Sequence, residues 1–255
     1  MTVIPVLLYH SVSDRPARHD RRWTVSRSAF AAHADAIKQS GRAALRVSEL
    51  ADALREERPL PERPVAVTFD DGYIDTYDAV ERLLAQGLSS TVYITTGELG
   101  AANRLAPNDL AELARSPSVE VGAHAVRHRR LDELLDWELA DEVATSKAQL
   151  EEQTQASVRS FAYPHGAYDR RVREAVVVAG YRSAVAVKNA VSHATDDPFA
   201  IARWTVTAGT AASRILEVLE GVGVPRAWPR ERFRTRAYRA ARRRRRRAST
   251  LRGGR

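Results

Sequence analysis

Seven short runs of apolar and β-branched residues recur along the chain at wide spacing, and they constrain the fold more than any other feature. Between most of them lie segments with apolar residues at helical spacing, such as SAFAAHADAIKQSG at residues 28–41. An alternation of strands and helices predicts a parallel sheet covered by helices. The predicted strands lie within residues 3–12, 64–69, 90–96, 119–124, 158–164, 183–187 and 200–206.

Several of these runs are apolar on both faces, as is typical of parallel strands with helices packed around them. A count of seven favours a barrel somewhat short of the eight-fold β/α form. The sequence therefore predicts an α/β barrel over residues 1–223. Residues 224–255 form a separate arginine-rich tail, which we expect to be disordered or a surface helix.

Charge is distributed unevenly along the chain. The net charge is +8, but residues 226–255 hold 14 arginines and a single acid, so the preceding body is mildly acidic. We expect Arg242–Arg247 to bind anionic lipid headgroups, a tail without a partner being the alternative. The aromatic residues expected at that interface are Trp228, Phe233 and Tyr238. Nucleic-acid binding is not expected, because the acidic body offers no groove for it.

No apolar run approaches the ~20 residues that span a bilayer. The first residues, MTVIPVLLYHSV, lack the basic lead-in and long apolar core of a signal peptide. We therefore expect a cytoplasmic protein, peripheral at the inner face of the membrane if the tail binds lipid. Cysteine is absent, which excludes disulfides and thiolate chemistry. A metal site in this chain must therefore use His, Asp or Glu.

Polar residues occur where several predicted strands end. In parallel α/β folds the active site forms at the carboxyl ends of the strands, so we expect these residues to lie close together. They are Tyr9 and His10, Asp70 and Asp71, His124 with His128 four residues later, Pro164, His165 and Gly166, and Arg203 with Trp204.

Asp70 and Asp71 stand side by side in the segment TFDDG. Adjacent carboxylates repel each other unless a cation or hydrogen bonds intervene, although aspartate before glycine is also ordinary turn chemistry. His124 and His128 with one aspartate would form a two-histidine, one-carboxylate metal site. The other aspartate can then accept a proton from a metal-bound water, and an imidazole can protonate the leaving group. The amide of His165 can hold an oxyanion.

These segments resemble the polysaccharide deacetylases, carbohydrate esterase family 4. TFDDG resembles the first family motif, AHAVRH the second and YPHG the third, and the resemblance covers roughly residues 3–222. It implies a distorted (β/α)7 barrel and a divalent metal, commonly zinc, with Co²⁺, Mn²⁺ and Fe²⁺ as alternatives. It also implies removal of an N-acetyl group from an amino sugar, or O-acetyl in some members. The implied roles are general base for Asp70 and metal ligands for Asp71, His124 and His128.

Two features depart from that family. Its third motif usually has an arginine two residues before the proline, where this chain has Ala162, and Arg203 from another strand is the candidate to replace it. The late L-x-H motif that normally supplies the general acid is missing. The early segment LLYHSV resembles the circularly permuted branch, which includes the poly-N-acetylglucosamine deacetylases and whose acid-bearing strand comes first. This resemblance implies His10 as the general acid.

The resemblance thus predicts a metal-dependent hydrolase that removes N-acetyl groups from an amino-sugar-containing glycan or a lipid-linked sugar. Tyr73 and Tyr163 are candidates to stack on the sugar, and Trp204 is a candidate wall of the site. Three alternatives stay open: a deformylase or other amide hydrolase on the same fold, a non-haem iron oxygenase with the same ligands, and an inactive glycan-binding module. The oxygenase has no evident use for Asp70, and the complete set of acids and histidines argues against the module.

Overall fold

The computed structural model describes residues 2–56 and 58–228. The predicted lipid-binding segment Arg242–Arg247, with Phe233 and Tyr238, lies outside the described residues. Residues 224–228 continue along the outside of the domain, where the backbone N–H of Ala227 donates to the carbonyl of Val191 at 2.8 Å. None of the described helices is long and apolar enough to cross a membrane.

Seven parallel strands close into a barrel, and each strand pairs with its neighbours in sequence order. The ring closes where the last strand pairs with the first, at Trp204 opposite Leu7. The predicted α/β barrel is confirmed, and every predicted run contains one strand of the barrel. The strands are β1 (Val6–Tyr9), β2 (Pro64–Phe69), β3 (Ser90–Ile94), β4 (Val119–Ala123), β5 (Ser160–Ala162), β6 (Ser183–Val187) and β7 (Ile201–Thr205).

The described residues form seven α-helices, most of them on the outside of the barrel. Two lie between β1 and β2, one follows each of β2, β3, β4, β5 and β7, and an irregular segment joins β6 to β7. The helices are α1 (Arg27–Gln39), α2 (Val47–Leu54), α3 (Thr76–Ala85), α4 (Pro107–Ala114), α5 (Asp136–Thr154), α6 (Arg170–Val178) and α7 (Ala212–Leu219). Two-residue strands occur at Val3–Ile4, Ser11–Val12, Thr24–Val25, Ala43–Ala44 and Ser192–His193.

Alternation along each strand sorts the core into two clusters. On β2, Val65, Val67 and Phe69 pack outward against the helices, whereas Ala66 packs in the barrel interior. The interior cluster also contains three residues of α2, namely Val47, Leu50 and Ala51. The start of α2 is bound inside the barrel, because the backbone N–H of Ser48 donates to the carboxylate of Glu120 at 2.8 Å. Helix α2 therefore plugs the amino-terminal end of the barrel and leaves the carboxyl end for the polar residues.

Tyr93 fills the middle of the barrel interior. Its ring lies across Gly122 on the adjacent strand: a Cβ built on Gly122 would be 2.4 Å from Tyr93 Cε1 and 2.8 Å from Ser160 Oγ. The guanidinium carbon of Arg203 lies 5.5 Å from the centroid of the same ring. Both side chains are fully buried. The absence of a side chain at Gly122 thus makes room for the aromatic ring on which Arg203 rests.

The Gly122→Ala substitution tests this packing. The added methyl must displace a buried ring, so we expect the free energy of unfolding to fall by ~1–3 kcal/mol, measured by urea denaturation. Gly209→Ala is the matched control, since nothing lies within 4 Å of its added Cβ. It should change stability by less than about 0.5 kcal/mol. Equal stability of the two variants would show that the ring is not confined by Gly122.

Candidate active site

The predicted site residues converge at the carboxyl end of the barrel. Asp70 and Asp71 directly follow β2, and His124 directly follows β4. Thr68 points into the barrel, so the same alternation directs Asp70 inward as well. Asp71 has a left-handed backbone (φ 71°), as does Gly72 (φ 67°). This tight turn lets two consecutive carboxylates reach the same site from one strand end.

Asp71, His124 and His128 form a compact cluster. One carboxylate oxygen, Asp71 Oδ1, lies 3.4 Å from His124 Nε2 and 3.3 Å from His128 Nε2. That oxygen is buried and has no hydrogen-bond partner. The ring Nδ1–H of His124 donates to the carbonyl of Ala162 at 2.8 Å, which leaves Nε2 as the free lone pair. One atom from each of the three residues lies within 4.8 Å of the others, so the set fits a divalent ion such as zinc.

Mutual electrostatics hold the carboxylate of this cluster ionised. Burial alone would raise the pKa of Asp71, but His124 and His128 outweigh burial and hold that pKa well below its usual range. Burial and the neighbouring His124 lower the pKa of His128 to about 4. His128 is therefore neutral near pH 7, which is the form of imidazole that ligates metals.

Arg203 binds Asp70 through two parallel hydrogen bonds. Its Nη1 donates to Oδ1 at 2.6 Å and its Nη2 donates to Oδ2 at 2.8 Å. The two side chains are 0% and 3% exposed. Burial would raise the pKa of Asp70, but the charge of Arg203 outweighs burial and lowers it. Although residue 162 is alanine, the strand-end aspartate has a guanidinium partner in Arg203 of β7.

Asp70 faces the cluster as well as the arginine. Its Oδ2 lies 3.8 Å from His124 Nε2. Each carboxylate oxygen carries two lone pairs, so the bond from Arg203 leaves a second acceptor site on Oδ2. Asp70 is thus an ionised and oriented carboxylate beside the two-histidine cluster.

His10 lies at the same end of the barrel. Tyr9 pairs with Phe69 at the ends of β1 and β2, so His10 and Asp70 are the next residues on neighbouring strands. Burial lowers the pKa of His10, while the charges of Asp70 and Asp71 act in the opposite direction. Its Nδ1 is buried without a hydrogen-bond partner. The structure therefore places an imidazole at the site on the strand before that of the aspartates.

Trp23 is a residue of the site that the sequence did not indicate. Its ring centroid lies 5.5 Å from that of His10, at an interplanar angle of 38°. It ends the polar loop SDRPARHDRRW, at residues 13–23, and a lone aromatic in such a loop was the one available signal. The contact limits the positions that the His10 ring can take.

The loop Pro164–Gly166 lies against the histidine cluster. The ring Nε2–H of His165 donates to the carbonyl of His128 at 3.1 Å, and the two ring centroids are 4.3 Å apart. Gly166 has φ 63°, and a Cβ built on it would be 2.8 Å from Val187 Cβ. A side chain at this position would push the loop away from β6.

Two aromatic residues predicted to contact substrate do not line the site. Tyr163 is fully buried, donates its hydroxyl to the carbonyl of Phe199 at 2.9 Å and stacks on Tyr168, so it cannot stack on a sugar. Trp204 packs against the outer hydrophobic core, with Arg214 of α7 over its ring. Strand alternation explains both corrections, because their neighbours Ala162 and Arg203 point inward.

Tyr73 lies at the rim, where it is partly exposed and covered on one face by Arg104, whose guanidinium carbon is 4.1 Å from the ring centroid. It lines a cavity of about 600 Å³ together with Ser11, Asp20 and Asp75. The residues that line the cavity include near neighbours in the chain of His10 and Asp71, but none of the catalytic or metal-ligand candidates. Tyr73 therefore stays the aromatic candidate for contact with a sugar.

The proposed ligands can be tested by measuring the metal content of variants. Dialysed wild-type protein should retain a divalent ion, measured by inductively coupled plasma mass spectrometry, because three ligand atoms already lie together. Asp71→Asn and His128→Ala should each lose most of it, since each removes one of three ligands. His19→Ala is the control, because that side chain is 82% exposed. Metal retention by Asp71→Asn equal to that of wild type would contradict the ligand assignment.

A family model described as "Polysaccharide deacetylase" matches residues 57–184, which is half of the 255-residue chain. The matched region contains Asp70, Asp71, His124, His128 and the Pro164–Gly166 loop. The Bacillus subtilis protein YxkH, assigned by its name to the polysaccharide deacetylases, is 25% identical over 220 residues. That alignment covers 86% of this chain and 77% of YxkH.

Several solved structures share the fold. The Streptococcus pyogenes deacetylase PplD, in complex with acetate, superposes with a TM-score of 0.78 at 22% identity, covering 86% of this chain and 98% of that one. IcaB from Ammonifex degensii gives a TM-score of 0.74 at 23% identity, covering 86% and 98%. The Bacillus anthracis protein BA0330 gives 0.75 at 21% identity, covering 86% and 69%.

Proposed function

Since the chain belongs to the polysaccharide deacetylase family, a family of carbohydrate deacetylases, we propose that it is a metal-dependent hydrolase that removes N-acetyl groups from an amino-sugar-containing glycan or a lipid-linked sugar. The observation that carries the proposal is the pairing of two sites. A carboxylate bound by arginine, Asp70, stands next to a separate metal-type cluster of Asp71, His124 and His128. Amide hydrolysis needs both an activated water and a base to deprotonate it.

The two aspartates would divide the work. A divalent ion at the cluster, when bound, supplies a water of lowered pKa and polarises the acyl carbonyl. Asp70 takes the proton of the attacking water at Oδ2, the oxygen nearest His124. Arg203 keeps Asp70 ionised and fixes its plane, at the cost of lower basicity. Without Arg203, the negative charge of Asp71 would raise the pKa of Asp70 and favour its protonated form.

His10 would protonate the departing nitrogen. Burial favours its neutral form, whereas the carboxylates of Asp70 and Asp71 favour the imidazolium. One proton then passes from the attacking water to Asp70 and one from the His10 imidazolium to the departing nitrogen. Loss of a proton from Asp70 to solvent and uptake of one by His10 restore both groups for the next turnover. The backbone amide of His165 is the proposed donor to the oxyanion, since the His165 side chain holds its loop against His128.

The cavity lined by Tyr73 is the candidate region for binding the glycan beyond its acetyl group. Its volume of about 600 Å³ lies within the ~300–1,000 Å³ range of small-molecule sites. Carboxylates and hydroxyls line it, as suits the hydroxyl groups of a sugar. Acetate, which accompanies PplD in its structure, is the product that we expect here.

Product analysis tests the function. Purified protein should release acetate from N-acetylated glycan oligomers or lipid-linked amino sugars, quantified by an enzymatic acetate assay. Chelation should abolish the release, and added Zn²⁺, Co²⁺ or Mn²⁺ should restore it. Asp70→Asn should retain metal but lose ~10²–10⁴-fold in turnover, because the water loses its base. Release of formate in place of acetate, or full activity after chelation, would refute the proposed reaction.

The proposed role of His10 in protonating the leaving group can be tested separately. His10→Ala should retain metal but slow amide cleavage by ~10²–10⁴-fold, since an amide nitrogen must be protonated to depart. An activated aryl ester has a good leaving group and should be hydrolysed at a rate much closer to that of wild type. His33→Gln, at a buried histidine outside the cluster, serves as the control for loss of an imidazole from the fold. Equal losses on amide and ester would rule out general-acid catalysis by His10.

A further inference from the structure

The two histidines of the cluster are held in different ways. His124 directly follows β4, and its bond to the carbonyl of Ala162 ties its ring to β5. His128 lies at the far end of a short loop with left-handed backbone at Ala125 (φ 62°) and at His128 itself (φ 50°). Residues other than glycine enter this region at an energetic cost. Contacts with the rest of the protein must therefore hold the loop in its shape.

A buried carboxylate supplies one side of that support. Glu142, in the second turn of α5, is fully buried. Its Oε2 accepts the backbone N–H of Val126 at 2.9 Å and that of Arg127 at 2.8 Å. Its Oε1 accepts from the Arg127 side chain at 3.1 Å. A charged acceptor shared by two backbone donors is among the stronger hydrogen-bond arrangements in a protein interior.

The carbonyls of the same loop are bound from the opposite side. The backbone N–H groups of Thr96 and Gly97 donate to the carbonyls of Ala125 and Val126 at 3.1 Å and 2.9 Å. A Cβ built on Gly97 would lie 2.6 Å from the carbonyl oxygen of Val126, so the approach is as close as the backbone allows. The loop is clamped between the segment after β3 and Glu142 on α5.

We propose that Glu142 is a positioning residue for the metal centre, holding His128 at Asp71 through the backbone of the intervening loop. The inference rests on the proposed metal-dependent function. Glu142 touches neither the ligand atoms nor a substrate, so its effect must pass through His128. A residue that merely stabilised α5 would change unfolding but leave the metal affinity of the folded protein unchanged.

Zn²⁺ affinity, measured by competition with a chromophoric chelator, tests the role. Glu142→Leu removes the acceptor of both N–H groups and should weaken Zn²⁺ binding by ~10–100-fold, as is usual for residues that orient ligands. Glu142→Gln should recover most of this loss, because its amide oxygen can take the place of Oε2. Arg127→Ala is the matched control: it removes the partner of Oε1 but keeps both backbone bonds, and should bind Zn²⁺ like wild type.

A double-mutant comparison isolates the path through His128. If Glu142 acts through that residue, Glu142→Leu combined with His128→Ala should bind Zn²⁺ no more weakly than His128→Ala alone. The proposal would be overturned if the double variant lost Zn²⁺ affinity by the product of the two single losses. It would also be overturned if Glu142→Leu bound Zn²⁺ with unchanged affinity. If the leucine variant does not fold, Glu142→Asp replaces it, since the shorter side chain withdraws the oxygens but keeps the charge. A wild-type protein that binds no Zn²⁺ would overturn the metal-dependent function as well.

Discussion

The buried ion pair between Arg203 and Asp70 determines how the rest of the barrel interior is used. Removing two charges from water costs several kcal/mol per ion, and a fork of two hydrogen bonds offsets that cost incompletely. The Nε of Arg203 is buried without a partner, which adds to the cost. Loss of either member would leave an uncompensated charge, at ~3–5 kcal/mol. Such a pair contributes little to the stability of the fold. What it provides is a carboxylate that is ionised and held in one orientation.

The barrel accommodates this pair by dividing its interior along its length. The amino-terminal half is filled by apolar side chains and by α2, whose residues Val47 and Leu50 enter the interior cluster. The carboxyl half holds the ion pair and the candidate metal ligands, with Tyr93 between the two halves. Glu120 is a buried carboxyl group of the amino-terminal half, where it binds the start of α2. Because α2 fills the lower end, the ion pair faces the candidate metal centre at the other end, where Asp70 Oδ2 lies 3.8 Å from His124 Nε2. The apolar packing and the candidate active site thus lie at opposite ends of one barrel.

The sequence predicted the strands and the cluster because both depend on local patterns. Each strand is a continuous apolar run, and Asp70, Asp71 and His124 follow their strands directly. What it could not predict depends on side-chain direction and on contacts between distant segments. Tyr163 and Trp204 stand beside inward-facing residues, and a shift of one position directs a side chain to the opposite face. Partners such as Glu142 belong to no strand end and become apparent once helices and strands are packed together.

The strand order has a consequence for synthesis on the ribosome. β1 lies between β2 and β7. The first barrel strand to be synthesised therefore pairs on one side with the last one. Asp70 has no guanidinium partner until Arg203 has been translated and β7 has joined the ring. Pairing between strands so distant in sequence is entropically slow. A nascent chain that already contains His10, Asp70, Asp71, His124 and His128 would therefore lack an oriented base. We expect the site to become complete only when β7 closes the ring.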